Sequence, residues 1–157
     1  MQSQSTLTIK CATCERLSIS KWFGCLNSNG LNEAISHLDL TDLCLVYFDV
    51  DNLKQANEKW GKPESSRRIA AAIQLRETDI VYGQYFSGDE FMAFVRKDQA
   101  LGLVLRLRKN FAAVEMSATY VIAENLNNFD IDVFGDQCDA FVAVLKLSEM
   151  KGCVGYL

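Results

Sequence analysis

The sequence of 157 residues holds one proline and one histidine, and its lysines and arginines, 16 in all, fall short of the 20 acidic residues. Each shortage excludes something. A single histidine, His37, leaves no basis for a histidine-rich metal site, and it argues against a Ser-His-Asp hydrolase. It falls in a stretch of helical spacing and reads as an inert surface or partly buried residue. A formal net charge of −4 lacks the clustered basic excess that phosphate neutralisation demands, so no nucleic-acid partner is expected. No apolar run approaches the roughly 18–20 residues of a membrane span, and no membrane partner is expected. The opening MQSQSTLTIK lacks the apolar core of a secretory signal, which makes a cytoplasmic location the default expectation. Of the six cysteines, Cys11 and Cys14 form a lone C-x-x-C. Zinc needs four ligands, and neither a second such pair nor a pair of histidines follows. The pair reads as inert, with a metal or redox role as the alternative. Cys25, Cys44, Cys138 and Cys153 sit among apolar neighbours and read as small buried hydrophobes.

What remains is an ordinary globular composition, 49% hydrophobic and 23% charged. The length suits one domain that buries roughly two thirds of its unfolded surface, with no need of a metal or disulfides for stability. Residues 1–20 are polar and without periodicity and read as an N-terminal arm. Residues 21–157 read as the domain.

Along that domain, GLNEAISHL from Gly30 places Leu31, Ala34, Ile35 and Leu38 at helical spacing. Leu43 to Val50 is a nearly unbroken apolar run with β-branched and aromatic members, the pattern of a central strand buried on both faces. After a short polar stretch, Pro63-Glu64-Ser65-Ser66 reads as a helix start with serine as the N-cap, continuing through RRIAAAIQLRE. Ile80 to Phe86 and Phe91 to Arg96 read as a hairpin around a tight SGDE turn. Asp98 reads as the cap of a helix QALGLVLRLRKNF. Ser117 to Ala123 reads as a strand, ENLNNFDID as a loop, Gly135 to Met150 as a last helix, and Gly152 to Leu157 as an edge strand. The order predicts an α+β fold with helices against one mixed sheet.

The chemistry gathers at two places. The buried strand ends in Asp49 and Asp51, and 38 residues beyond Asp51 stands Asp89, followed by Glu90, in the hairpin turn. A strand end and a neighbouring hairpin turn meet at one edge of a sheet. Carboxylates gathered there repel one another unless a divalent cation neutralises them, and Mg²⁺ with carboxylate oxygens and a nucleotide triphosphate is the usual solution. The other reading is two solvated turns, since aspartate is a common turn residue.

These residues also carry a family resemblance. SGDEF, Ser87 to Phe91, resembles the signature turn of GGDEF domains, the diguanylate cyclase family. FDVDNLKQANEKWG, Phe48 to Gly61, is similar to that family's D-x-D-x-x-K-x-x-N-x-x-x-G segment, and FGCLNSNGLNEAI, Phe23 to Ile35, to its T-G-L-x-N-R-R segment and first helix. Arg76 and Asp79 form an R-x-x-D ahead of the turn, as in the family's product-inhibition site, with an exposed charge pair at a helix end as the alternative. SATYVIA resembles the S-x-G-x-A strand, and Lys146 stands where the family has a phosphate-contacting lysine. The resemblance runs over about residues 21–156 in the right order.

What it implies is a palm-like, ferredoxin-related fold with a mixed sheet of about five strands flanked by helices, binding GTP and Mg²⁺ or Mn²⁺. It implies a homodimer in which each 3′-hydroxyl attacks the other nucleotide's α-phosphate, giving cyclic di-GMP and pyrophosphate. By position, Asp49, the Val50 carbonyl and Glu90 match the metal ligands. Asp89, Glu90 and Lys146 match the catalytic positions, and Lys54, Asn57, Ser66 and Gly88 the nucleotide-binding ones. Departures accompany the match. Ser87 replaces the first glycine, and Ser66 replaces the aspartate that accepts from guanine, which a hydroxyl cannot do bidentately. Glu64, two residues earlier, is a candidate substitute. Ser28 and Asn29 replace arginines, Tyr120 replaces a strand glycine, and Met150 replaces a late arginine beside Lys151. Seven residues follow the R-x-x-D where five are usual, and Gln84 stands for the arginine before the turn. Two functions therefore compete: a cyclase, and a degenerate domain that binds GTP or cyclic di-GMP and regulates a protein partner. A third reading is an interaction domain that uses no ligand.

Overall fold

The computed structural model describes residue 23 and residues 25–74, 81–85 and 89–157. The arm, Cys11 and Cys14, the candidate pair Arg76 and Asp79, and Ser87 and Gly88 lie outside the described residues. The elements are α1 (Ser28–Ile35), β1 (Leu43–Val50), α2 (Leu53–Trp60), α3 (Lys62–Ala72), β2 (Val81–Gln84), β3 (Glu90–Arg96), α4 (Ala100–Ala113), β4 (Ala118–Ala123), α5 (Ile131–Leu147) and β5 (Val154–Tyr156).

The apolar run at Leu43–Val50 forms the middle strand of a five-stranded mixed sheet in the order β2-β3-β1-β4-β5. β1 lies antiparallel to both β3 and β4, β2 is antiparallel to β3, and β5 is parallel to β4. Alternation along β1 divides the core in two. Val46, Phe48 and Val50 face Ile69 of α3 and Leu103, Leu107 and Phe111 of α4. Leu45 and Tyr47 face Leu31 of α1 and Cys138 and Val142 of α5. A strand covered on both sides has no polar alternation, which is why its sequence reads as a continuous apolar run.

The expected fold class is the observed one, with differences at element ends. The polar stretch after β1 contains a full helix, α2, with no buried residue. Its half-buried stripe holds only Leu53, Ala56, Asn57 and Trp60, with Leu53 against the core, over two turns of otherwise exposed polar residues. It starts after Asn52 in the left-handed conformation (φ 55°) and stops at Gly61 (φ 81°), a conformation that glycine adopts without a Cβ penalty. Helix α3 starts at Lys62 with Pro63 in its first turn, so Ser65 and Ser66 are buried within it rather than capping it. It ends at Ala72, short of the expected Glu77, and the buried Ile73 closes it through its N–H to the Ile69 carbonyl. Asp98 does not cap α4. A 3₁₀ turn at Lys97–Gln99 leads into that helix, and Asp98 faces Arg96 at 3.5 Å on the surface. Helix α5 starts four residues before Gly135, at Ile131, because the Asp130 carboxylate accepts from the Asp132 and Val133 N–H groups. Cys25, Cys44 and Cys138 are buried, whereas Cys153, in the turn before the edge strand, is only partly so. His37 is on the surface, 3.5 Å from Glu33.

Candidate active site

Strand pairing builds the site. Asp49, next to last in β1, lies directly opposite Glu90, the first residue of β3. Directly paired residues point to the same face of a sheet, here the face covered by α5. The ladder continues one step into the hairpin, where the Val50 N–H donates to the Asp89 carbonyl at 3.1 Å. Two acids far apart in sequence are thus held side by side by backbone hydrogen bonds.

Helix α5 supplies the counter-charge. The Lys146 ammonium lies 3.4 Å from Asp49 Oδ2 and 3.3 Å from Asp51 Oδ1, and it donates to the Val50 carbonyl at 3.3 Å. Asp51 is the anchor of this arrangement. Its carboxylate is fully buried and accepts from the Ser117 hydroxyl at 2.7 Å and the Thr119 hydroxyl at 2.6 Å. Both donors come from the start of β4, so Asp51 ties β4 to the lysine. Asp49 is placed differently: its Oδ1 is buried without a hydrogen-bond partner.

The electrostatics follow from the crowding. Burial first, then the charge of Asp89, pushes the Asp49 carboxyl up to about 8, with Lys146 opposing. Burial first, then the charge of Asp139, pushes Glu90 up to about 7. Asp49, Glu90 and Asp139 each present one carboxylate oxygen within 4.8 Å of the others. Below them lies Tyr47, fully buried, whose hydroxyl makes no hydrogen bond of standard geometry. Burial and the charges of Glu90, Asp139 and Asp49 raise its pKa.

The donor set fits a hard divalent cation. Carboxylate and carbonyl oxygens suit Mg²⁺ and Mn²⁺, and an orphaned buried carboxylate oxygen costs about 1–3 kcal/mol until something meets it. Asp49, Glu90 and the Val50 carbonyl are the residues that would hold such an ion.

The remaining expected residues divide. Asp89 is half-buried beside Asp49. Lys54 is exposed on α2. Asn57, also on α2, is partly buried and its Oδ1 has no hydrogen-bond partner. Ser66 is buried on α3, preceded by Ser65, whose hydroxyl is buried and unpartnered. Arg67 and Arg68 pair with the carboxylate of Glu64, the candidate substitute for the missing aspartate, at 2.6 and 2.9 Å. Lys151 donates to Asn52 Oδ1 at 2.6 Å, which sets a second ammonium at the β1–α2 junction, while Met150 is exposed. A groove of about 410 Å³ opens beside it, lined by Asp51, Asn52, Gln55, Trp60 and Ser117 among others. A cavity of about 630 Å³ lies at the opposite end of the sheet around Thr41, Lys97 and Glu124 and holds none of the expected residues.

Two site residues escaped the sequence reading, and the partners of a third did. Asp139 stands seven residues before Lys146, on the same stripe of α5, a spacing that a longer reading of that helix would have shown. Tyr47 stands two residues before Asp49, and period-2 alternation puts both on one face. Asp51 was visible as a carboxylate, but its two hydroxyl donors were not.

No family model matches the chain, and no curated protein matches it. Solved structures do. Diguanylate cyclase SiaD from Pseudomonas aeruginosa, solved in complex with its activator SiaC, superposes with a TM-score of 0.72 at 19% identity, over 88% of this chain and 61% of that one. The chain therefore spans less than two thirds of SiaD. The GGDEF domain of DgcB from Caulobacter crescentus, solved in complex with c-di-GMP, gives a TM-score of 0.66 at 17% identity, over 88% of this chain and 92% of that one. A microbial GGDEF domain solved with cyclic di-GMP gives 0.67 at 20% identity, over 88% and 96%. The chain has the fold of a GGDEF domain. Among the described residues, no helix is long and apolar enough to cross a membrane.

Proposed function

We propose that this domain condenses two molecules of GTP into cyclic di-GMP in a Mg²⁺- or Mn²⁺-dependent reaction at a homodimer interface. The observation that carries the reading is the opposed pair Asp49 and Glu90 at one sheet edge, with the Lys146 ammonium 3.4 Å from Asp49. A divalent cation bound there would neutralise charge on the transferring phosphate and lower the pKa of the attacking 3′-hydroxyl. The chain's own part is positional. Lys146 offers a point charge to phosphate oxygens, and Lys54 offers a second one from α2. Asn57 presents a side-chain amide for the base. Asp89, beside Asp49, brings a further carboxylate to the same strand end. Each 3′-hydroxyl gives up its proton and its oxygen bonds to the α-phosphorus of the other nucleotide as the bridging α–β P–O bond breaks, so two such steps close the ring and release two pyrophosphates. One domain binds one GTP, so two copies must meet.

One observation favours a second reading, a domain that binds GTP or cyclic di-GMP without turnover and acts on a protein partner. Ser66 lacks the carboxylate that accepts from guanine, and Glu64 is held by Arg67 and Arg68. Losing that contact costs about 1–3 kcal/mol of discrimination.

The test is incubation of the purified chain with Mg²⁺ or Mn²⁺ and each of the four ribonucleoside triphosphates, with products read by mass spectrometry and Glu90→Gln as the control. Cyclic di-GMP that disappears in the control supports the cyclase. Absence of product together with saturable binding of GTP or cyclic di-GMP moves the assignment to the second reading. Neither product nor binding refutes both.

A further inference from the structure

We infer that Asp139 is a third carboxylate ligand of the cation site, so that the ion is gripped by α5 as well as by the sheet. The inference rests on the proposed cation site at Asp49 and Glu90 and extends it to a residue outside both sequence motifs.

Geometry carries it first. One oxygen each from Asp49, Glu90 and Asp139 falls within 4.8 Å of the other two, the span over which three ligands close around one ion with metal–oxygen distances of roughly 2.0–2.6 Å. Asp139 is exposed at the rim of α5, while its neighbours Cys138 and Val142 are buried against the sheet. The helix is therefore fixed on the sheet, and Asp139 is set over the site rather than swinging freely beside it. Seven residues later on the same stripe, Lys146 reaches the other flank of Asp49. One helix face thus brings a carboxylate and an ammonium to the same strand end.

The second observation is the state of the buried polar atoms beneath the acids. Tyr47 is fully buried under this cluster, and its hydroxyl stands against Glu90. Asp49 Oδ1 is buried with no hydrogen-bond partner of standard geometry. Buried polar atoms are nearly always satisfied, and a carboxylate oxygen left unmet among further acids calls for positive charge. A divalent cation supplies it, adding its charge to that of Lys146 beside the three carboxylates. The all-oxygen donor set selects Mg²⁺, Mn²⁺ or Ca²⁺ over softer metals.

The alternative is that Glu90 and Asp139 merely share a proton and hold α5 in place. A Mn²⁺ titration of the whole metal-stripped chain, without nucleotide, followed by the paramagnetic resonance signal of free Mn²⁺, separates the two. The variants are Asp139→Asn and Asp136→Asn, the latter an exposed carboxylate on the same helix, with circular dichroism to confirm folding and ionic strength near 0.15 M to screen remote charges. The expected result is one saturable site in the wild type, weakened at least about tenfold by Asp139→Asn and changed less than about twofold by Asp136→Asn. Unchanged affinity in Asp139→Asn overturns the inference and leaves the Asp49–Glu90 site standing. Equal weakening by both variants also overturns it, since the effect would then be net charge rather than ligation. No Mn²⁺ binding by the wild type overturns both this inference and the cation site beneath it.

Discussion

Replacing Lys146 by methionine keeps the aliphatic stem and deletes the ammonium. In the protein that ammonium sits 3.3–3.4 Å from Asp49 Oδ2, Asp51 Oδ1 and the Val50 carbonyl. The side chain of Asp51 is 0% exposed and that of Asp49 15%, whereas that of Lys146 is 21%. Removing one partner of a fully buried pair costs about 3–5 kcal/mol, because the other charge is left uncompensated. Two features lower the figure here. Water reaches about a fifth of the lysine side chain, and Asp51 keeps its hydroxyl donors Ser117 and Thr119. The expected loss is therefore about 2–3 kcal/mol, read as a shift in the urea midpoint at pH 7 in the presence of chelator, with the slope unchanged. A double-mutant cycle with Asp51→Asn should return a coupling of about 1–3 kcal/mol, since neutralising Asp51 removes the need for the ammonium. A loss below about 0.5 kcal/mol, the range of an ordinary surface change, would refute the claim that Lys146 compensates buried charge. So would a cycle with no coupling.

Three further outcomes follow from the geometry. Without cation, stability should fall as the pH rises from about 5 to 9. Asp49 and Glu90 are held at about 8 and 7 in the fold against about 4 when unfolded, so the native state binds more protons and the unfolding free energy drops with pH. Urea midpoints in chelator across that range check the sign, and a rise would contradict it. Gly135→Ala should destabilise by about 1–3 kcal/mol although alanine is the better helix former. Its Cβ would overlap the Tyr85 ring, which stands edge-on to Tyr47 at 6.1 Å. Thermal unfolding and near-ultraviolet circular dichroism report the loss, and a stabilised variant would show that Tyr85 swings aside freely. Leu107→Ala, at a fully buried position between α4 and the sheet, should cost about 2–5 kcal/mol by urea unfolding and leave Mn²⁺ affinity within about twofold.

The sequence alone determined the parts that local pattern encodes. The apolar run Leu43–Val50 announces a strand covered on both faces, because burial on each side removes polar alternation. Its carboxylate end, the SGDEF turn and Lys146 stand in an order that resembles one family, and the α+β sheet follows. Local pattern failed where an element is short and only half-buried. Helix α2 has no fully buried residue and shows only Leu53, Ala56 and Trp60 as an apolar stripe over two turns, and the N-terminus of α3 is set by Gly61 and Pro63 rather than by a serine cap. The site required tertiary structure for a different reason. Which acids face one another depends on strand register, and register joins Asp49 to Glu90 across 41 residues of chain. Which acids meet a cation and which meet another acid depends on what α5 and β4 bring over them: Lys146 and two hydroxyls for Asp51, Asp139 for Glu90. A carboxylate looks the same in a sequence whether it ends buried against an ammonium, orphaned above a tyrosine or solvated in a turn. Only packing assigns each its dielectric and its partners, and those decide whether the cluster repels itself or holds an ion.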